Sequence, residues 1–263
     1  MGYLREAVAI QARASRCRAA WKPHLERSRA FIMKAAHTCS GHGTALVIGS
    51  GALFDVPLAE LSGMFGRVLL ADIVHPLSAR WQARRFANVR LITVDVTGLA
   101  GHLAALPSRC FKTGMHASVR APLSGPPGFG DTAQETSSPL FLEQRPDFTV
   151  SANILSQLPL LPLARLKQAG YTADELAQVR RTILTGHLEW LHRLPGLVSL
   201  IADTQWRVGA AKEDPLSGLD PQLLHLLENA PSGETWQWDI APKPEAYPDR
   251  DVTHLVRACI LKA

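Results

Sequence analysis

A glycine-serine-glycine turn followed by a lone carboxylate is the part of this sequence with the clearest chemical use. Gly49, Ser50 and Gly51 follow one apolar run, and Asp72 ends the next apolar run. Glycine lets the backbone approach a ligand where any Cβ would collide, and a carboxylate can accept hydrogen bonds from two ribose hydroxyls. The spacing is typical of a β-α-β unit that binds a nucleoside.

Further polar side chains follow the next predicted strands at the same relative position. Asp95, followed by Val96, comes after the strand predicted over 89–94, and Asn153 comes after the strand predicted over 148–152. Because the carboxyl ends of parallel strands meet at one edge of a sheet, we expect these side chains to lie close to Asp72.

The pattern of elements predicts an α/β fold with a doubly wound, mostly parallel sheet. Five strand-helix units run from residue 45 to a strand over 197–202. Two extended runs over 235–240 and 254–261 follow, and no crossover helix fits between them. We therefore predict seven strands, of which the last two pair antiparallel at one edge. A capping box at residues 172–175 predicts a helix that ends near Arg193.

The first 44 residues are predicted to form a basic helical arm, and residues 45–263 the main domain. The arm is expected to contain two helices separated at Lys22-Pro23. Its positive charge fits a nucleic acid, an anionic lipid surface, an acidic protein or a solvated helix face. The basic residues before residue 36 are Arg5, Arg13, Arg16, Arg18, Lys22, Arg27, Arg29 and Lys34.

Residues 111–144 are rich in Gly, Pro, Ser and Thr and lack apolar periodicity. A loop of that length is a substrate lid, a binding loop, a disordered segment or a passive surface excursion, and the sequence leaves these alternatives open. It is expected near the mouth of the predicted pocket.

The bulk composition narrows the class of protein only modestly. The formal net charge of the 263 residues is +5. Four scattered cysteines without a C-x-x-C pair, together with the lack of an apolar run of signal or membrane length, predict a cytoplasmic protein with no membrane span. No spacing of histidines indicates a metal site.

The glycine turn after the first strand, the polar residues after the next three strands and the antiparallel end pair together resemble the class I S-adenosylmethionine-dependent methyltransferases, over residues 45–263. The resemblance implies S-adenosyl-L-methionine as the cofactor. By position, Gly49 and Gly51, with Ser50 between them, pass under its methionine part, and Asp72 binds the ribose hydroxyls. Asp95 and Val96 then lie beside the adenine.

Two features depart from the family pattern. The acidic residue usual before the glycine turn is replaced by Leu46-Val47-Ile48, and the third glycine is absent. Asp55 either replaces that acid at the cofactor ammonium group or caps the helix predicted from Val56. A non-catalytic, methyltransferase-like assembly or regulatory partner is therefore the alternative to an active enzyme.

Candidates for chemistry on a methyl acceptor follow from the same resemblance. Asn153 occupies the position that orients an acceptor atom, and it also fits beside the cofactor. His187 is a candidate general base because its ordinary pKa lies near neutrality, although a structural role is open. Asp203 and Trp206 fit the wall of an acceptor site. A small molecule or a protein is the favoured acceptor, with nucleic acid possible through the basic arm.

Overall fold

One mixed β-sheet forms the centre of the protein in a computed structural model that describes residues 2–105, 145–230 and 232–262. The predicted loop 111–144 and Cys110 lie outside the described residues. The structure therefore does not test the interpretation of this loop as a lid. The strands are β1 (Thr44–Ile48), β2 (Arg67–Asp72), β3 (Val89–Thr93), β4 (Phe148–Ala152), β5 (Leu197–Val208), β6 (Ala211–Glu213), β7 (Glu234–Ala241) and β8 (Val252–Lys262).

The strand order is β3-β2-β1-β4-β5-β8-β7, and β6 pairs with the outer part of β5. Neighbours from β3 to β5 are parallel, whereas β8 is antiparallel to both β5 and β7. This arrangement confirms the doubly wound, mostly parallel sheet and its antiparallel terminal pair. The short strand β6 and the continuation of β5 to Val208 were not predicted.

The chain winds outward on both sides of β1, because β2 and β3 lie on one side and β4 and β5 on the other. Every residue of β1 and of β4 is buried, as expected for central strands that are covered on both faces. The boundary between β1 and β4 is where a ligand crevice opens in folds of this kind.

Helices cover both faces of this sheet. No helix among the described residues combines the length and apolar content that crossing a bilayer requires. The helices are α1 (Tyr3–Arg16), α2 (Arg18–His37), α3 (Leu58–Met64), α4 (Leu77–Ala83), α5 (Ala100–Ala105), α6 (Leu160–Gln168), α7 (Ala173–Arg193) and α8 (Pro221–Asn229), with a single 3-10 turn at Leu155–Gln157.

The predicted separation of the arm at Lys22-Pro23 is wrong, because the two helices meet at Cys17 and Pro23 lies inside α2. Proline removes one backbone donor, but burial of the apolar face of α2 outweighs that loss. Trp21 and Phe31 on that face are nearly inaccessible. They belong to the same hydrophobic cluster as β1, β2, β4, β7 and β8, so α2 is part of the core of the domain.

Several positive charges of the arm are paired with the domain. Arg16 lies 2.6 Å from Glu245, and Lys34 lies 2.7 Å from Glu234. The guanidinium of Arg29 donates to the carbonyl of Phe54. Exposed pairs of this type are screened by water and contribute little to stability, so they orient the arm more than they stabilise the fold.

The start of α7 provides a test of local helix stability. The Thr172 hydroxyl accepts from the backbone N–H of Glu175, and the Glu175 carboxylate accepts from the backbone N–H of Thr172. Thr172→Ala should lower the free energy of unfolding by about 1 kcal/mol, because it removes this cap.

Urea unfolding followed by circular dichroism measures this change. Thr182→Ala in the same helix is the matched control, since its hydroxyl only donates to the carbonyl of Gln178. That variant should be neutral or slightly stabilising. Equal destabilisation by both substitutions would contradict the capping argument.

Candidate functional site

The glycine turn after β1 is shaped by contact with the end of β4. Gly49 has φ of 77°, and a Cβ there would lie 2.8 Å from the carbonyl oxygen of Ala152 and 2.8 Å from the Cβ of Ile154. Its lack of a side chain therefore serves the close approach of two protein segments. At Gly51, with φ of 46°, a Cβ would meet nothing nearer than 3.9 Å, which leaves that side of the turn open.

Asp72 is the last residue of β2, and its carboxylate is bonded to the glycine turn. Oδ2 accepts from the backbone N–H of Gly51 at 2.7 Å, and Oδ1 accepts from that of Val74 at 3.2 Å. It does not cap α4, whose N-cap residue is Pro76. Burial raises the pKa of Asp72, while the two backbone donors oppose that shift. A carboxylate has about four lone-pair sites, so it retains acceptor capacity for a ligand.

Ser50 lies between the two glycines and is almost fully buried, with 1% of its surface exposed. Its Oγ has no hydrogen-bond partner among the described residues. A buried hydroxyl usually has a partner, so this group is a candidate ligand contact.

Asp95 orders the segment that leads into α5. Its carboxylate accepts from the backbone N–H and hydroxyl of Thr97 at 2.9 and 2.6 Å, and from the backbone N–H of Ala100 at 2.6 Å. Val96, the next residue, is buried. The carboxylate thus positions the loop, and the predicted adenine contact would come from this loop as a whole.

Helix α1 lies over the same edge of the sheet. Tyr3 is close enough to Asp95 that this negative charge, together with the larger effect of burial, raises the pKa of the phenol. Farther along α1, Gln11 donates to the hydroxyl of Ser78 at the start of α4. The arm therefore passes beside the predicted cofactor position.

Asp55 contacts Asn153 and does not cap a helix. The amide of Asn153 donates to Oδ2 of Asp55 at 2.6 Å, whereas α3 begins at Leu58 with no side-chain cap. The helix-cap interpretation of Asp55 is therefore wrong. Burial raises the pKa of Asp55, and the amide bond partly opposes that shift.

Asn153 has φ of 50°, a left-handed conformation that asparagine tolerates better than most residues. Its Oδ1 is buried and lacks a partner among the described residues. It thus joins Ser50 as an unpaired polar group at the carboxyl edge of the sheet.

His24 of α2 lies next to Asn153 and was not identified from the sequence. Its Nδ1 accepts from the indole N–H of Trp236 at 3.0 Å, and its ring stacks on Trp238 with centroids 4.0 Å apart. Since Nδ1 accepts, we assign the proton of the neutral ring to Nε2, which lies 3.5 Å from the Asn153 amide nitrogen. Burial lowers the pKa of His24 to about 4.

Asp203 is the centre of a second polar group just beyond the parallel part of β5. Its Oδ2 accepts from the Ser156 hydroxyl at 3.0 Å, the Trp206 indole at 3.3 Å and Nδ1 of His254 at 3.1 Å. Asp203 and Trp206 were expected here, whereas His254 was not. His254 lies in β8, 51 residues from Asp203 in the sequence, so no local sequence pattern predicts that contact.

His187 is placed away from this edge, inside the packing between α7 and the sheet. It is 1% exposed, and its Nε2 lies 3.0 Å from the hydroxyl of Ser151. Burial lowers its pKa to about 3, so the ring is neutral at physiological pH. These contacts support a structural role, and His187 does not join the group around Asn153.

No protein-family profile and no curated protein matches this sequence. Among solved structures, 1,6-didemethyltoxoflavin-N1-methyltransferase from Burkholderia thailandensis, with 1,6-didemethyltoxoflavin and S-adenosylhomocysteine bound, is 14% identical at a TM-score of 0.39, covering 98% of this chain and 90% of that one. N-methyltransferase NodS from Bradyrhizobium japonicum, with S-adenosylhomocysteine, is 12% identical at a TM-score of 0.38, covering 89% and 85%.

A complex of DhpI with SAM and HEP is 13% identical at a TM-score of 0.40, covering 98% of each chain. The similarities are weak by both measures. The fold described above stands on the strand order and register of this chain.

The close approach of Gly49 to β4 predicts a large effect of a single methyl group. Gly49→Ala should destabilise the protein by about 1–3 kcal/mol, because the Cβ meets backbone and a branched side chain at a positive φ. Gly63→Ala in α3 is the control, since nothing lies within 4 Å of a Cβ there and alanine favours helix. Thermal unfolding should show a lower Tm for the first variant only.

Burial of His187 predicts loss of stability on acidification. Its pKa is lowered from 6.5 to about 3 in the folded state, so below about pH 6.5 the unfolded chain binds a proton that the folded protein does not. Between pH 7 and pH 5 this lowers the free energy of unfolding by about 2 kcal/mol.

Urea unfolding of His187→Gln at both pH values should show a correspondingly smaller difference between them. His102→Gln, at an exposed position in α5, should retain the full difference. An unchanged pH dependence in His187→Gln would contradict this account.

Proposed function

We propose that this protein is an S-adenosyl-L-methionine-dependent methyltransferase of the class I type. The observation that carries the proposal is the Gly51–Asp72 contact at the switch point of a sheet in which β8 runs antiparallel between β5 and β7. A Gly-x-Gly turn by itself is shared with dinucleotide oxidoreductases. Those enzymes use a third glycine, where this chain has Phe54, and the antiparallel end pair distinguishes the two classes.

The residues at this edge fit the proposed cofactor in three respects. The side of the turn at Gly51 is open. Asp72 has acceptor capacity beyond the two backbone bonds that it makes. The buried Ser50 hydroxyl lacks a partner among the described residues. An open turn, a carboxylate and an unpaired hydroxyl together suit a nucleoside with a polar amino-acid tail.

The proposed binding roles follow the chain from β1 to β3. Gly49, Ser50 and Gly51 would lie along the methionine part, and Asp72 would accept from the ribose hydroxyls. The segment Asp95–Val96 would border the adenine. The cofactor supplies an activated methyl group, and the protein's task is to align an acceptor atom at about 3 Å with water excluded.

Asp55 and Asn153 support the reactive end of this site. The 2.6 Å bond between them joins the segment after the glycine turn to the end of β4. Asp55 would thereby lie where an ammonium group of the cofactor needs a negative partner. Asn153 would direct its unpaired Oδ1 toward cofactor or acceptor.

Asp72 is the residue whose removal tests the proposed cofactor site. Asp72→Ala should weaken binding of S-adenosylmethionine and S-adenosylhomocysteine at least about tenfold, because hydrogen bonds to a charged acceptor are lost. Isothermal titration calorimetry on the folded variant measures this change. Circular dichroism and thermal melting establish that the variant is folded.

Asp147→Ala is the matched control, because Asp147 also accepts a backbone N–H, that of Thr44 at 2.8 Å, but at the opposite edge of the sheet. It should reduce stability and leave cofactor affinity unchanged. Equal affinity in wild type and folded Asp72→Ala would remove the assignment of Asp72. Binding of neither compound to the wild type would favour the non-catalytic alternative.

A further inference from the structure

The group around Asp203 has the parts of a proton-accepting site. Asp203 is 1% exposed, and its Oδ2 holds Nδ1 of His254 at 3.1 Å. The ring of His254 stacks against Trp206, with centroids 5.3 Å apart, and meets Trp238 nearly at a right angle. The orientation of the imidazole is therefore fixed by one hydrogen bond and by contact with two indole rings.

The carboxylate is arranged to support a charged imidazole. The Ser156 hydroxyl and the Trp206 indole also donate to Oδ2, so both hold the carboxylate in position. Its Oδ1 is buried without a hydrogen-bond partner among the described residues. Because Nδ1 of His254 donates to Asp203, the ring of the neutral residue presents Nε2 as a base. Nε2 has no partner among the described residues, and 12% of the side chain is exposed.

A further titratable group near the pair is His24 of α2. His24 is close enough to Asp203 and His254 for both charges to affect its pKa. Its ring is neutral at physiological pH, so it adds no positive charge beside His254. Asn153 lies beside His24 and its amide donates to Asp55, so polar side chains continue from His24 toward the glycine turn.

We infer that His254, positioned by Asp203, accepts the proton of the methyl acceptor, and that the acceptor is a small neutral or cationic molecule with a planar ring bearing a hydroxyl or N–H group. This inference rests on the proposed function. It assigns a catalytic role to His254 and a positioning role to Asp203.

The proposed step balances without any further reactant. The O–H or N–H bond of the acceptor breaks, and its proton moves to Nε2 of His254. The electron pair of the acceptor atom forms the new bond to the methyl carbon, while the pair of the broken carbon–sulfur bond stays on sulfur. The resulting imidazolium is stabilised by Asp203, which remains ionised.

The chemical class of the acceptor follows from the walls and charges of the site. Trp206, which is only partly buried, is a flat apolar surface suited to a ring, whereas Trp238 is covered by His24 and holds His254 from behind. Asp55, Asp72 and Asp203 make this edge of the sheet acidic, which opposes a phosphate-rich acceptor. Among the basic residues of the arm, Arg16 and Lys34 are paired with glutamates of the domain, and Arg29 is near enough to Asp55 to interact with its charge.

Chemical modification tests the inference without methyl transfer. Diethyl pyrocarbonate acylates an unprotonated imidazole nitrogen, and mass spectrometry of peptides gives the rate at each histidine. His254 should react much faster than the buried His24. In Asp203→Asn the rate at His254 should fall about tenfold, because the new amide can donate to Nδ1 and so place the ring proton on Nε2, the atom that must be unprotonated to react.

Asp239→Asn is the matched control, because Asp239 lies on the adjacent β7 and accepts from Gln237 instead. It should leave the modification rate of His254 unchanged. Ser156→Ala, which removes one donor to Asp203, provides a second variant if Asp203→Asn does not fold. Reaction of His254 no faster than that of His24, or a rate unaffected by both site variants, would overturn the inference.

Transfer of labelled methyl groups from S-adenosylmethionine to a fractionated lysate tests the class of acceptor. Label should enter the small-molecule fraction, and His254→Gln should lower its rate about a hundredfold or more while calorimetry shows unchanged cofactor affinity. Label in RNA or protein, or none in any fraction despite cofactor binding, would overturn the inference. Absence of cofactor binding in the wild type would instead contradict the proposed function.

Discussion

The site depends on the close approach of two backbone segments, the turn after β1 and the end of β4. Gly49 lies against Ala152 and Ile154 with no room for a Cβ. The turn after β1 therefore stays in contact with the end of β4, although the chain diverges there from the two central strands. The hydrogen bond between Asp72 and Gly51 then joins β2 to the same turn, and that between Asn153 and Asp55 joins β4 to the segment after it. Three strand ends are thereby held together before any ligand arrives, which reduces the entropy that binding must overcome.

The polar residues at this edge are buried at a cost that only partners can offset. Burial raises the pKa of Asp55 and of Asp72 and lowers that of His24, so each group is held in an environment that disfavours its charge. Unpaired atoms of Ser50, Asn153, Trp238 and Asp203 are found in the same region. Such groups cluster at functional sites more often than in ordinary cores, because function requires polar atoms that folding alone would pair or exclude.

Much of the fold could be predicted because its signals are local. The apolar strands, the glycine turn and the Thr172 capping box each lie within a few residues, and the structure contains all of them. Pro23 misled the prediction because burial of α2 against β7 outweighs a single lost donor. His24 contacts Trp236, which is 212 residues away, and His254 contacts the distant Asp203. A pattern of neighbouring residues cannot predict contacts of this kind. The group around Asp203 is built from such distant segments, whereas the glycine turn and Asp72 belong to one β-α-β unit.

The two helices of the arm differ in how they are anchored, and this difference has a consequence for the access of solvent to the sheet edge. Helix α2 buries seven residues, whereas α1 buries none and carries exposed Leu4 and Val8 on its outer side. Local unfolding requires little free energy where few apolar contacts are lost, so amide protons of α1 should exchange with solvent far faster than those of α2. The surface near Asp95 can then be exposed to solvent by fraying of α1 alone, with the sheet and its core intact.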